Sequence, residues 1–263
     1  MWSPPVEGLV RAAGAARRAL ELDPNLGPAH AALANVLAYR DWDWEAAERG
    51  FRKALDLDPG DVYGRQLYVE MLAGTGRLDE AIAEQRRVRE LDPFWVSATR
   101  VDMGRLYEIR GEDDRAVAEW ERALELAPGY YATHQHLGNH HCARGRFEMG
   151  IAALKRAATL SREDPHLVAD VAYCYATSGR TEQARGLLRE LERESHNRYV
   201  SPMNRALVHV GLGEREQAFE QLEGAYRGRA MLLPLIGIDA RFAPLHSDPR
   251  FEALLARMGL AEG

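Results

Sequence analysis

Four times in this chain a helical cadence runs into a proline: Ala19-Leu-Glu-Leu-Asp-Pro24, Ala54-Leu-Asp-Leu-Asp-Pro59, Val88-Arg-Glu-Leu-Asp-Pro93 and Ala123-Leu-Glu-Leu-Ala-Pro128. The prolines are 35, 34 and 35 residues apart. Glycines keep the same period at Gly76, Gly111, Gly145, Gly179 and Gly213. Small residues follow five positions later at Ala81, Ala116, Gly150, Ala184 and Ala218, and Ala47 extends that row upstream. Four positions further on stand Phe51, Gln85, Trp120, Leu154, Leu188 and Leu222. A fixed period of this length restricts the chain to stacked supersecondary units, each burying its apolar face on the next. Such an array presents a surface, and its ordinary work is to hold something else.

Residues 100–128 show what one unit is. Met103, Gly104 and Tyr107 fall at helical spacing on a first helix, and Gly111 allows a tight reversal. Ala116, Trp120 and Ala123 then share one face of a second helix, which Pro128 stops because it has no amide to continue the ladder. The unit is a helix hairpin in which Gly104 and Ala116 permit close approach while Tyr107 and Trp120 fill the space around them.

These residues resemble the tetratricopeptide repeat family, whose pattern is Trp-x2-Leu-Gly-x2-Tyr, then Ala-x3-Phe, then Pro. Leu137-Gly138 and Met103-Gly104 match the Leu-Gly step, Tyr107 and Tyr175 the tyrosine, and Ala47-x3-Phe51 and Ala116-x3-Trp120 the second helix. Tyr68-Val69 and Arg205 depart from it in the second and sixth units. The resemblance covers nearly the whole chain. It implies an all-α, right-handed superhelical solenoid of antiparallel hairpins: a half-repeat at 6–24, six repeats over 25–229, and a C-terminal cap over 230–263. Residues 6–24 carry the pattern of a second helix alone, so the array looks as though it starts mid-repeat. In the cap, Asp248 and Pro249 read as a helix start, and Phe251, Leu254, Leu255 and Met258 give that helix an apolar face for the end of the stack. Met231 to Ile238 is expected to wrap between the last repeat and the cap. The strings Asp41-Trp42-Asp43-Trp44, Asp239-Ala-Arg-Phe242 and Asp248-Pro-Arg-Phe251 narrow the resemblance to the C-terminal tetratricopeptide regions of bacterial signalling and regulatory proteins, which are linked to kinase, cyclase or winged-helix domains.

The net charge of −6 argues against a nucleic-acid surface, which needs a basic excess. No apolar run is long enough to cross a membrane, and no signal peptide is visible, so the expected location is cytoplasmic. Of 34 basic residues only Lys53 and Lys155 are lysine, a bias that points to a GC-rich bacterial source. Cys142 and Cys174 form no metal or redox motif and read as buried thiols.

No nucleophile or phosphate-loop motif is present, and the carboxylates lie along helix faces and in turns, so the chain reads as no enzyme and needs no cofactor. Glu45, Glu48, Asp79, Glu80, Asp113 and Asp114 fit the dipole at second-helix starts. His136 and His140 share a face and are the weak metal candidates, but they lack third and fourth ligands. His134 and His141 fall at packing positions of the repeat. In the resembled fold the first helices line a concave groove, which places Asn35, Tyr63, Gln66, Glu70, Val101, Arg105, Gln135, Asn139 and Tyr173 on its exposed face. Amides and tyrosines there suit an extended peptide. The expected function is a non-catalytic protein- or peptide-binding scaffold or adaptor of a bacterial signalling or transcription-regulating system. One alternative is a ligand-gated sensor binding a small peptide or metabolite. Another is a self-association module pairing as a homodimer through Leu9, Val10 and Ala13 of the first helix.

Overall fold

The glycine register becomes geometry in the turns. In the computed structural model, which describes residues 5–162 and 164–260, Gly76, Gly111, Gly145, Gly179 and Gly213 all take the left-handed conformation, with φ between 72° and 79°. Each reverses the chain between two helices. Among the described residues there are fourteen α-helices and no strand. The first is α1 (Pro5–Leu22). Six hairpins follow: α2 (Gly27–Val36) with α3 (Trp44–Leu57), α4 (Val62–Gly74) with α5 (Leu78–Leu91), and α6 (Val96–Ile109) with α7 (Asp113–Leu126). Then come α8 (Tyr131–Ala143) with α9 (Phe147–Leu160), α10 (Pro165–Thr177) with α11 (Thr181–Glu194), and α12 (Pro202–Leu212) with α13 (Arg215–Arg227). Two 3₁₀ turns, Leu233–Gly237 and Ala240–Leu245, lead to α14 (Pro249–Arg257). The last three residues of the expected cap, 261–263, lie outside the described residues.

Within a hairpin the small and large registers interlock. Ala116, Trp120 and Ala123 are fully buried, and a β-carbon on Gly104 would collide with the Trp120 indole. The indole N–H donates to the Val101 carbonyl at 3.1 Å. Between hairpins, the Leu-Asp-Pro loops end one helix and start the next. His30 and His134 each place Nε2 against the carbonyl of the proline six residues earlier, at 2.9 and 2.8 Å, and Arg65 donates to Pro59 at 2.9 Å. His134, expected at a packing position, is thus a clamp on its loop.

At the opposite edge an arginine ladder joins neighbouring repeats. Arg77 reaches back to Glu48 at 2.7 Å, Arg110 to Asp79 at 2.6 Å, Arg144 to Asp113, Arg180 to Glu148, and Arg250 to Glu216 at 2.8 Å. The acids at second-helix starts thus receive cations from the following turn as well as facing the helix dipole. Hydrogen bonds from Arg77 and Arg52 hold the Glu48 carboxyl down to about 2.

The first repeat breaks the pattern. Its α2 runs into a π-helical turn, Leu37–Asp41, and Trp42 takes φ 56° where the later repeats have glycine. A bulky residue in that conformation is strained. The compensation is long-range. Trp42 lies 4.7 Å from the Tyr226 ring with Arg229 over its face at 3.6 Å, and it belongs to the C-terminal core with Phe242, Phe251, Leu254 and Met258. Trp44 Nε1 donates to the Met258 carbonyl at 2.6 Å. The C-terminal segment does more than cap the last hairpin: it closes the first repeat onto the last.

Two sequence expectations change here. Leu9 and Ala13 are buried, packed into the core beneath α1, and only Val10 of the expected pairing patch is exposed. Cys142 and Cys174 are joined as a disulfide with Cα atoms 5.7 Å apart, stapling α8 to α10. They are buried as expected, but they are not free thiols.

Candidate functional site: the concave face

The first helices of successive repeats bring residues about 35 apart into register, and the polar groups on that face pair with one another. Gln66 of α4 donates to Asp102 of α6 at 3.1 Å, and Arg105 of α6 pairs with Glu70 of α4 at 2.5 Å. Gln135 and Asn139 of α8 both donate to Asp170 of α10, at 2.8 and 3.2 Å. Asp170 is fully buried, and Arg241 donates to its second oxygen at 2.6 Å from the C-terminal segment. Asp239 holds the same guanidinium at 2.7–3.1 Å and also accepts the Arg241 amide. Burial opposes the charge on Asp170, but Arg241, with help from His166 and the two amides, keeps its carboxyl below the usual range.

The segment carrying Arg241 lies on the expected groove. The Leu233–Gly237 turn packs on α4, where a β-carbon added to Gly74 would lie 3.5 Å from Leu235; Ile238 packs on the N-terminal core, and Tyr173 packs on the C-terminal one. Met231 to Ile238 therefore does more than wrap to the cap; it enters the concave side. Of the expected groove residues, Gln66, Glu70, Arg105, Gln135 and Asn139 are brought together in these pairs. Asn35 is half-buried with its side-chain oxygen unpartnered, and Tyr63 stands apart, exposed at the start of α4. Val101 is not on the groove surface: it is buried, with its carbonyl engaged by Trp120.

Two groups missed from sequence complete the face. Asp102 is pushed up to about 7 by burial and by the nearby Glu70 charge, with Arg105 opposing. Asp170 is the other, and its position 35 residues after Gln135 is the one signal that could have found it.

The metal candidates serve packing. His136 stacks on Trp120 at 5.6 Å, and burial drives it down to about 3, so it is neutral. His140 meets the same indole edge-on and directs Nδ1 to Glu108 at 3.0 Å. Among the described residues no group of three or more His, Cys, Asp or Glu is arranged to hold a metal ion. No helix there is long and apolar enough to cross a membrane. A cleft of about 1180 Å³ opens where the ends of the stack meet, lined by Trp44, Glu48, Arg77, Ile238, His246 and Leu255 among others.

No family model matches the chain. Over 118 residues it is 30% identical to the cellulose synthase operon protein C of Pseudomonas fluorescens (strain SBW25), an alignment covering 42% of this chain and 9% of that protein. The chain thus spans less than a tenth of the curated relative it matches. The structure of PilW, a widely conserved type IV pilus biogenesis factor, superposes with TM-score 0.58 at 18% identity, over 72% of this chain and 87% of that one. The Cut9–Hcn1 hetero-tetramer of APC/C superposes with TM-score 0.62 at 15% identity, over 94% of this chain and 45% of that one. These neighbours are tetratricopeptide-repeat proteins, and the fold of this chain is theirs.

Proposed function

From a tetratricopeptide-type stack whose concave face already holds a segment of short 3₁₀ turns, we propose that this chain is a non-catalytic protein-binding scaffold. The observation that carries the reading is the seat of Arg241 on Asp170, whose other oxygen is held by Gln135 and Asn139. It supports a groove suited to a peptide bearing a cationic side chain, and toward the N-terminal half the half-buried Gln66–Asp102 and Arg105–Glu70 pairs are the polar groups a partner would meet. The solved neighbours agree in kind, since one is a pilus biogenesis factor and the other part of a hetero-tetramer. The bacterial relative supports a bacterial system, and a regulatory role within it is part of the proposal. The compartment turns on the cysteines: the Cys142–Cys174 bond favours an oxidising setting over the cytoplasm expected from sequence.

The test is calorimetric titration with a peptide library. Arg105→Ala with Asn139→Ala weakens the selected peptide while circular dichroism stays unchanged. Unaltered affinity counts against the groove.

The second reading, a ligand-gated sensor, is favoured by the cleft at the junction of the two ends. A ligand seated there acts on the Trp44–Met258 contact and so on the closure of the stack. Solution scattering reads the resulting change in dimensions, and a profile insensitive to every ligand tried removes this reading.

A further inference from the structure

The first four loops that lead into a hairpin, before α2, α4, α6 and α8, follow a single plan. After the proline, the residue at the tip is Asn25, Gly60, Phe94 or Gly129. Asparagine and glycine are ordinary occupants of a tight turn; phenylalanine is not. Asp92 Oδ1 accepts from the amides of both Phe94 and Trp95, at 3.0 and 3.2 Å, which fixes this knuckle. Phe94 is left 96% exposed and Trp95 61% exposed. A local rule is broken here with no gain inside the fold, and such departures belong to sites that serve something outside it.

The knuckle has neighbours in register. Leu22, Leu26, Leu57, Tyr63 (69% exposed), Leu91, Leu126 and Tyr131 are the other exposed apolar side chains of the same loops, so the row runs along one edge of the stack. The charge is as uneven as the hydrophobicity. Residues 21–27, 55–63, 89–96 and 124–131 hold eight carboxylates and one cation, Arg89, which pairs with Glu119 at 3.5 Å. That excess is larger than the net charge of −6 carried by the whole chain. The opposite edge differs, because its acids are met by the arginine ladder.

We propose that this inter-repeat edge is a docking surface for a cationic, apolar segment of a partner protein, centred on Phe94 and Trp95. The inference rests on the protein-binding reading and assigns it a second surface. Aromatic side chains at a projecting turn offer large contact area, and their faces attract lysine and arginine. Flanking carboxylates speed encounter with a basic segment and repel nucleic acid and anionic lipid.

Two synthetic amphipathic peptides test it, with the same leucine face and either lysine or glutamate on the polar face. Titration is followed calorimetrically at two salt concentrations. The lysine peptide binds, and salt weakens it. Phe94→Ser with Trp95→Ser, or Asp56→Lys with Glu90→Lys, each lowers affinity about tenfold or more, as expected for loss of a hot spot or its charge. All four positions are exposed, and circular dichroism confirms the fold of each variant. Arg105→Ala with Asn139→Ala leaves this binding unchanged, which separates the edge from the groove. Equal affinity of both edge variants and the parent for the lysine peptide overturns the proposal, as does binding of neither peptide or preference for the glutamate one. So does a concentration-dependent dimer in sedimentation that Phe94→Ser with Trp95→Ser abolishes, since a second copy is then the occupant. In those cases the scaffold reading is judged separately, by the groove titration.

Discussion

Asp102 keeps its charge at a cost. Its carboxyl is ordinarily half-ionised near pH 3.9, and in the folded chain burial and Glu70 push that to about 7. Below about pH 4 both states hold the proton and the group contributes nothing. Between about pH 4 and 7 the unfolded chain has lost the proton and the folded chain retains it, so stability falls as pH rises through that window. The penalty, on the order of a few kcal/mol, persists above pH 7. Asp102→Asn removes it, and the neutral side chain can still accept from Gln66. The urea midpoint of this variant exceeds that of the parent by more at pH 8 than at pH 5; equal gaps at both pH values contradict the assignment. His136 works in the other direction. Held neutral down to about 3, it withdraws stability as the unfolded chain protonates below about pH 6.5. At this scale the sequence named Gln66, Glu70, Arg105, Gln135 and Asn139 as concave and missed their mutual pairing. Helical spacing gives the face a residue lies on. It does not say that Arg241, 71 residues from Asp170 and outside the repeats, will settle on that face.

Helices and turns were the most legible level. The period fixes which glycine turns, which alanine packs and where each proline stops a helix, because every unit repeats the same local chemistry. The exceptions are elements whose partner is distant. Trp42 sits in a glycine position only because Tyr226 and Arg229 receive it, and nothing near residue 42 announces them. The disulfide is similar: Cys142 and Cys174 lie near the ends of α8 and α10, and only the stacking of adjacent first helices brings them within bonding distance. Closing a loop with a sequence separation of 32 stabilises the folded chain by about 3–4 kcal/mol through the unfolded state. Cys174→Ser, or dithiothreitol on the parent, lowers the denaturation free energy by about that amount, and dithiothreitol adds nothing to the variant. The unreduced, denatured parent releases no thiol to Ellman's reagent. Two titrating thiols would exclude the staple.

An open array of repeats frays from its ends, since a terminal unit has one neighbour where an inner unit has two. This chain gives its first hairpin a second neighbour. Trp44 bonds to Met258, Trp42 enters the C-terminal core, and α14 reaches α13 through Arg250–Glu216 and Arg257–Glu223. The repeats alone could not reveal this, because Trp42 departs from the glycine its place in the period calls for, and Met258 and α14 lie beyond the repeats. The consequence is kinetic and regional. Amides of α2 and α3 exchange with solvent about as slowly as those of α8 and α9, whereas an open stack would show faster exchange at the end. Trp42→Ala removes a large buried ring, a change that costs about 3–5 kcal/mol in a well-packed core. If closure is what restrains the ends, exchange then accelerates in α1, α2, α3 and α14, by about tenfold for each 1.4 kcal/mol lost, while α6 to α9 keep their protection. Uniform acceleration from α1 to α14 would instead mean that Trp42 supports one undivided core. No acceleration at the ends would mean that the two ends are held independently of each other.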